Sequence, residues 1–127
     1  MAKENLSLGK CGEEAALRFL KENGYRILEV NLKTKFGEID IVASEKDTLV
    51  FIEVKARSSN RFGLPQEAVS AFKQRQIAKS AIAFLKGRKL LDRKARFDVV
   101  SVSYCGLPAP RIDLIKNAFE LGGEFTL

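Results

Sequence analysis

The stretch that decides the fold runs from Gly37 to Arg57 and reads GEIDIVASEKDTLVFIEVKAR. Apolar and polar residues alternate with period two over 38–44 and again over 49–57, which is typical of half-buried β-strands. The polar residues Glu45 to Thr48 separate the two runs and predict a tight turn. The stretch is therefore predicted to form a β-hairpin.

The alternation also predicts the register of this hairpin. A loop of residues 46–47, or one wider by a residue on each side, opposes Asp40 to Glu53, Ile41 to Ile52 and Glu38 to Lys55. One face then carries the aliphatic residues Ile39, Ile41, Ala43, Val50, Ile52 and Val54. The other face carries Phe51 together with the charged residues Glu38, Asp40, Glu53, Lys55 and Arg57.

Two directly opposed carboxylates repel each other, because the Cβ atoms of such a pair are roughly 4.5–5.5 Å apart. A divalent cation would remove the repulsion, and carboxylates completed by water and a substrate phosphate suit Mg²⁺ or Mn²⁺. Asp40 and Glu53 are therefore predicted metal ligands. Lys55, on the same face as Glu53, would hold an attacking water or neutralise developing charge. The alternative is a solvated hairpin face with interspersed acids and bases.

Length and charge limit the classes of protein. The chain has 127 residues, a length that predicts one domain over residues 1–127. Its net charge of +6 favours an anionic partner, either nucleic acid or a membrane surface. No segment approaches the roughly 20 apolar residues of a membrane span, and the N-terminal residues lack a signal-peptide hydrophobic region. We therefore expect a cytoplasmic protein without a membrane partner.

The chain contains no histidine, which excludes Ser-His and Cys-His hydrolases and histidine-ligated zinc sites. Any chemistry must then come from carboxylates, lysine and a metal. No motif pairs the two cysteines, Cys11 and Cys105, and free thiols that suit a reducing compartment are expected.

The elements around the hairpin complete an α/β fold. The predicted segments are a helix over 8–23, a strand over 25–32, a helix over 65–86, strands over 97–104 and 111–116, and a final short helix or turn. The second helix has a predicted core stripe of Val69, Phe72, Ile77, Ala81, Phe84 and Leu85. Three strands in a meander, a helical crossover and two further strands predict a mixed five-stranded sheet flanked by helices.

Glu13 is the unusual residue of the first predicted helix. It shares the inward stripe with Ala16, Leu17 and Leu20, although it is charged. An acid favoured by the helix dipole would explain a carboxylate near this end, but not its place on the apolar stripe. We therefore treat Glu13 as a candidate site residue beside that simpler alternative.

Basic residues concentrate in KGRKLLDRKAR, residues 86–96, which holds six bases and one acid. Such a run is commonly a solvated loop, but beside a carboxylate-metal site it would attract phosphates without sequence preference. The predicted nucleic-acid contacts are Arg88, Lys89, Arg93 and Lys94 in this run, with Arg57 on the hairpin and Gln66, Lys73 and Gln74 at the second helix. Asp98 is expected to be structural and to pair with nearby arginines.

The candidate residues resemble a known pattern. Glu13, Asp40 within GEID, and Glu53-Val54-Lys55 within FIEVKAR are similar to the helix acid, strand acid and acid-x-lysine strand of the PD-(D/E)-x-K nuclease superfamily. Ile39 stands where that superfamily usually has proline. GKCGEEAALRFLKENGYRILEVN, FGLPQEAVSAFKQRQ, RFDVV and the late NAF extend the likeness to the small bacterial YraN-like family, over nearly the whole chain.

This resemblance implies a restriction-endonuclease-like fold, similar to that of archaeal Holliday-junction resolvases. It implies that Glu13, Asp40 and Glu53 bind Mg²⁺ or Mn²⁺, that these acids and Lys55 form the catalytic site, and that Gln66 and Lys73 support it or contact phosphate. The function expected is metal-dependent cleavage of DNA, with branched or structured DNA as one substrate class. Cleavage of junctions would favour a homodimer, because two symmetric nicks need two sites.

Two other functions stay open from the sequence. A non-catalytic nucleic-acid-binding protein would keep the fold and the basic surface without turnover. A basic membrane-surface protein is much less favoured, because no helix combines a basic face with a bulky apolar face.

Overall fold

The computed structural model describes residues 2–57, 69–103 and 108–119, with side chains from residue 8 onward. The described part of the chain forms two helices and five strands. They are α1 (Ala2–Glu22), β1 (Arg26–Thr34), β2 (Gly37–Glu45), β3 (Thr48–Ala56), α2 (Ala71–Gly87), β4 (Lys94–Ser103) and β5 (Arg111–Phe119). The predicted α/β class and the mixed five-stranded sheet are confirmed.

The strands are arranged in chain order, β1-β2-β3-β4-β5. The β3–β4 pair is parallel and the other three pairs are antiparallel. Only a parallel neighbour needs a long crossover, and α2 lies in that connection. The meander, crossover and final two strands therefore follow the predicted order.

The central parts of the hairpin strands β2 and β3 are buried on both faces, so the prediction of half-buried hairpin strands is wrong. Consecutive residues Ile41, Val42 and Ala43 are all buried, and so are the five residues 49–53 of β3. Ile41, Ala43, Val50 and Ile52 pack with Ala16 and Leu20 of α1, whereas Val42 and Phe51 pack with Ile77 and Phe84 of α2. Ile39 belongs to the α2 side, although the alternation placed it with Ile41.

Helix α1 begins at Ala2, six residues before the predicted start, and it ends as predicted at the Asn23–Gly24 turn. Gly24 has a φ of +88°, a left-handed conformation that glycine adopts without strain. Helix α1 approaches the sheet closely at Gly12, where an added Cβ would overlap the side chain of Ala56. A side-chain-free position here lets α1 lie directly against β3.

Helix α2 begins at Ala71, with Ser70 as N-cap accepting a 3.1 Å hydrogen bond from Lys73 N. Val69 and Ser70 are not helical, so the continuous helix predicted from Pro65 is wrong at these two positions; residues 65–68 lie outside the described segments. Val69, Ile77, Ala81, Phe84 and Leu85 are buried as predicted. Phe72 is 62 % exposed, which contradicts its predicted core position.

Strand β4 starts three residues before its predicted boundary, so Lys94 and Arg96 belong to the strand and not to a loop. Strand β5 extends through Asn117, Ala118 and Phe119, where a helix or turn was predicted. Asp98 is fully buried and accepts hydrogen bonds from Tyr25, Arg96 and the main chain of Asn117. Its predicted structural role, paired with a nearby arginine, is confirmed.

Cys11 on α1 is disulfide-bonded, so the free thiol predicted for it is wrong. Cys105 lies outside the described segments. Neither helix in the described part of the chain combines the length and apolar character that a membrane crossing requires.

Candidate active site

The candidate site lies where strands β2 and β3 stop pairing. Their ladder ends at Ile41 and Ile52, the pair that the sequence predicted. One residue further along, Asp40 Oδ2 accepts a 2.8 Å hydrogen bond from Val54 N. A carboxylate thus occupies a place at which a strand would offer a main-chain carbonyl. The pairs Asp40–Glu53 and Glu38–Lys55 were predicted to continue the ladder, but they lie beyond its paired residues.

Glu53 carries a buried carboxylate, with 6 % of the side chain exposed. Its Oε2 atom lies 3.6 Å from Lys55 Nζ and 3.8 Å from Lys73 Nζ. Its Oε1 atom is buried and has no hydrogen-bond partner within the described residues. Lys55 follows on the same strand, and Lys73 is in the first turn of α2, so two elements bring positive charge to one carboxylate.

The pKa of Glu53 is raised to about 7, mainly by burial and then by charge repulsion and hydrogen bonding from the nearby Asp40 carboxylate. The ammonium groups of Lys73 and Lys55 act in the opposite direction on this pKa. A buried carboxylate beside a second carboxylate is stable near neutral pH only with a proton or a cation between them. The two acids therefore interact as the sequence predicted, although Asp40 also accepts a hydrogen bond from the backbone of Val54.

Ser101 adds a second buried polar atom to this part of the sheet. It pairs with Lys55 in the parallel β3–β4 ladder, two positions beyond Val99, the partner of Glu53. Its Oγ atom is buried and, like Glu53 Oε1, has no partner among the residues described. The usual rule is that buried polar atoms are hydrogen-bonded. Two exceptions on neighbouring strands indicate a place for a polar ligand or ordered water.

Glu13 lies on the other side of Asp40. Both side chains line a cavity of about 430 Å³ together with Leu8, Gly9, Val54 and Ala56. Glu13 Oε1 accepts a 3.3 Å hydrogen bond from Asn31 Nδ2 of β1. The structure thus brings Glu13 to Asp40, and Glu53 with Lys55 to the same strand ends.

Carboxylate oxygens are the donors that Mg²⁺ and Mn²⁺ prefer. Asp40 and Glu53 fit such an ion, because Glu53 Oε1 is a buried oxygen that otherwise lacks a partner. Across the described segments, no three acidic, histidine or cysteine side chains converge closely enough to form a metal-binding group. The fit therefore rests on two carboxylates, and Glu13 shares its cavity with Asp40 but not with Glu53.

The predicted nucleic-acid contacts divide into two regions. Lys73 lies at the site, and Arg57 follows directly after β3. Gln74 donates a hydrogen bond to the main chain of Val69, and Gln66 lies outside the described residues. Lys94 starts β4 at the other end of the sheet, with Arg93 directly before it, whereas Arg88 lies against β1 in a cavity that Leu32, Lys33 and Thr34 also line.

The register of β3 and β4 gives the distance along the sheet between Lys94 and Glu53. Lys94 pairs with Thr48, whereas Val99 pairs with Glu53, five residues further along each strand. Five strand residues span roughly 16 Å. Arg88 also makes a 2.9 Å ion pair with Glu29, and Lys94 makes one of 3.2 Å with Asp47. Lys94 is therefore not brought together with the carboxylates, and both Arg88 and Lys94 pair with other acids.

The sequence reasoning missed three residues at this site. Asn31 interrupts β1 with a φ of +54°, and an asparagine inside a strand pattern is the signal that could have identified it. Gly12, inside a helical pattern, signals a close approach of α1 to another element. Ser101 gives no signal, because serine is ordinary in a strand and only the register brings it beside Lys55.

Comparison with known proteins identifies relatives over most of the chain. A model of the uncharacterised protein family UPF0102 matches residues 12–102, a span that contains Glu13, Asp40, Glu53 and Lys55. The chain belongs to the UPF0102 family. This membership confirms the resemblance to YraN-like proteins, and the nuclease superfamily is consistent with it.

Individual UPF0102 proteins are similar over nearly their full length. One from Geobacter metallireducens is 50 % identical over 121 residues, which cover 95 % of this chain and 98 % of the relative. One from Syntrophus aciditrophicus is 52 % identical over 118 residues, which cover 93 % of this chain and 92 % of the relative. The names of these relatives state a family and no activity, so function has to be argued from the site.

Proposed function

We propose that this protein is a divalent-metal-dependent nuclease that hydrolyses phosphodiester bonds in DNA. The observation that carries the proposal is the Glu53 carboxylate. It is buried beside a second acid, Asp40, has one oxygen without a partner in the described chain, and has two lysines near the other oxygen. Perturbed carboxylates with charged partners are typical of catalytic sites.

Asp40 and Glu53 would hold Mg²⁺ or Mn²⁺, and Glu13 would complete the acidic side of the cavity. An ion held there would acidify an attacking water and stabilise negative charge on the phosphate. The hydrogen bond from Val54 N fixes one oxygen of Asp40, and the Asp40 side chain lines the cavity. A ligand held by the main chain loses little freedom on binding.

Lys55 and Lys73 would act on the substrate. Their ammonium groups approach the same oxygen of Glu53, and each is about one third exposed. A phosphate that enters the site can therefore accept a hydrogen bond from either lysine while that lysine stays beside the buried Glu53 carboxylate. Lys55 would orient the attacking water, and Lys73 would neutralise phosphate charge.

A non-catalytic nucleic-acid-binding protein is the second candidate. The observation in its favour is that no third ligand converges on Asp40 and Glu53 within the described residues. A site with too few ligands would hold metal weakly and could leave only the basic surface functional. The two candidates share the nucleic-acid partner and differ in turnover.

The deciding experiment compares wild type with Glu53→Gln on single-stranded, duplex, flap and four-way-junction DNA, in Mg²⁺ and in Mn²⁺. We expect the wild type to cut at least one substrate and the variant to cut none. Binding of DNA without cleavage by the wild type would favour the second candidate. Equal cleavage by both proteins would identify a contaminant and remove the nuclease proposal. Preference for junctions, with two nicks per junction, would support the predicted homodimer.

A further inference from the structure

Helix α2 carries an exposed basic stripe on the side away from the core. Phe72, Arg75, Lys79 and Lys86 recur at spacings of three, four and seven residues, so they share one face of the helix. The buried residues Ile77, Ala81 and Phe84 lie on the opposite face. An aromatic ring that is 62 % exposed and three bases in one row are not explained by packing.

The far end of this stripe forms a cavity of about 260 Å³ against the β1–β2 turn. Its lining consists of three lysines around an apolar floor: Lys35, Lys79 and Lys86 with Phe36, Ile82 and Ala83. Lys35 Nζ lies 5.2 Å from the centre of the Phe36 ring. Cations around an aromatic and aliphatic floor match a ligand that has both negative charge and a flat apolar part.

The turn is held on α2 by hydroxyl groups, so the cavity is preformed. The hydroxyls of Thr34 and Ser80 are 2.8 Å apart and hydrogen-bonded, and Ser80 is fully buried. Thr34 Oγ1 also accepts a 3.1 Å hydrogen bond from Phe36 N. These bonds fix the backbone that carries Lys35 and Phe36 relative to Lys79 and Lys86.

The other end of α2 reaches the candidate active site, because Lys73 lies 3.8 Å from Glu53. Lys73 and Lys86 are 13 residues apart, which is about 20 Å of helix. At roughly 3.4 Å per stacked nucleotide, this length corresponds to about six nucleotides. The helix therefore links a phosphate-reactive site to a separate cationic cavity over a distance that a short strand spans.

We propose that the cavity of Lys35, Phe36, Lys79 and Lys86 binds an unpaired nucleotide, and that the α2 stripe carries the single strand from there to the active site. The lysines bind the phosphate, and the base or sugar packs on Phe36, Ile82 and Ala83. A base paired inside a duplex cannot enter such a cavity, which selects for single-stranded nucleic acid. The inference rests on the proposed function for its partner, but binding can be measured without cleavage.

The test measures fluorescence anisotropy of a labelled single-stranded 12-mer in EDTA, over a range of salt. The first variant is Lys79→Gln/Lys86→Gln, and the matched control is Arg18→Gln/Lys21→Gln on the exposed face of α1, across the sheet. Both lose two positive charges. We expect the first to bind about tenfold more weakly, with a salt slope lower by about 1.4, and the control to change neither. Equal weakening of both would reduce the effect to net charge and overturn the site.

A second variant separates the nucleotide from its phosphate. We expect Phe36→Leu to weaken binding of the normal 12-mer and to leave an abasic 12-mer unaffected. Unchanged binding of both oligonucleotides would remove Phe36 from the site. If wild type binds through this stripe but cuts nothing, the inference stands and the nuclease proposal fails. If the lysine variant binds and cuts like wild type, the reverse holds.

Discussion

The carboxylate of Asp40 takes the place of a strand partner for Val54: its Oδ2 atom lies 2.8 Å from Val54 N, one residue beyond the last paired residues of β2 and β3. The regular pairing of the two strands ends at Ile41 and Ile52, and Asp40 and Glu53 are the next residues along them. One hydrogen bond therefore ends the ladder and holds a candidate metal ligand. It also explains why the acids are close without being a regular cross-strand pair.

Gly12 should be intolerant of any side chain. In Gly12→Ala the new methyl group would overlap Ala56, whose Cβ is attached to rigid strand backbone, so α1 must move away from β3. We expect a loss of about 1–3 kcal/mol in the free energy of unfolding. Gly9→Ala is the control, since nothing lies within 4 Å of its added Cβ, and it should be neutral or stabilising. Urea unfolding measures both; equal stability would contradict the close packing.

Asp98 should be essential for stability and unrelated to cleavage chemistry. Its buried carboxylate accepts from Tyr25 and Arg96, so Asp98→Asn leaves the Arg96 guanidinium without its main partner. We expect a loss of about 3 kcal/mol, the lower range for breaking a buried ion pair, because Glu45 still binds Arg96. Asp47→Asn breaks the exposed pair with Lys94 and should change nothing measurable. Similar losses in the free energy of unfolding for Asp98→Asn and Asp47→Asn would contradict a greater contribution from the buried ion pair.

Glu53 should make the stability depend on pH in EDTA. Its pKa is about 7 in the folded protein, against an ordinary 4.5, so the folded state binds more protons between these values. The free energy of unfolding therefore falls as pH rises from about 4.5 to 7. Glu53→Gln should match wild type near pH 4 and be more stable at pH 8, by up to about 3 kcal/mol. A difference that is constant over this range would contradict a buried, protonated Glu53.

Lys55 should be required for cleavage and not for folding. Its side chain is 32 % exposed, and Lys73 remains near Glu53 when it is removed. Lys55→Ala should therefore change stability by no more than ~0.5 kcal/mol, bind DNA almost normally and lose cleavage at saturating DNA. Lys46→Ala, in the exposed β2–β3 turn, is the control and should cut normally. If Lys55→Ala cut DNA at the wild-type rate, Lys55 would be a structural ion-pair residue and not a catalytic one.

The period-two pattern predicted the hairpin, because each alternate side chain of a strand shares a face. The turn at residues 46–47 and the pairing of Ile41 with Ile52 followed from that pattern. The burial of both sheet faces could not be read from it. The charged residues at the strand ends were predicted to form a metal site, with a solvated face as the alternative, and neither interpretation included the α2 packing that covers this face and buries Glu53.

The site residues were predictable as types, but their contacts depend on long-range packing. Asn31 reaches Glu13 because its own backbone, within β1, has a left-handed conformation. Ser101 lies beside Lys55 because β3 and β4 pair in parallel. Neither relation has a local sequence pattern. The basic run was expected beside the carboxylates, but Lys94 starts β4 at the end of the sheet away from Glu53. Its binding of nucleic acid stays a prediction.

The most direct test of the metal site is calorimetric titration of Mn²⁺ and Mg²⁺ into wild type, Asp40→Asn and Glu53→Gln. Asparagine at position 40 keeps an oxygen that can accept from Val54 N, so the strand ends can remain in place. We expect wild type to bind the ions at a saturable site, both variants to lose that binding, and the ion to stabilise only the wild type against unfolding. Equal binding by all three proteins, or no binding by the wild type, would contradict a metal held by Asp40 and Glu53.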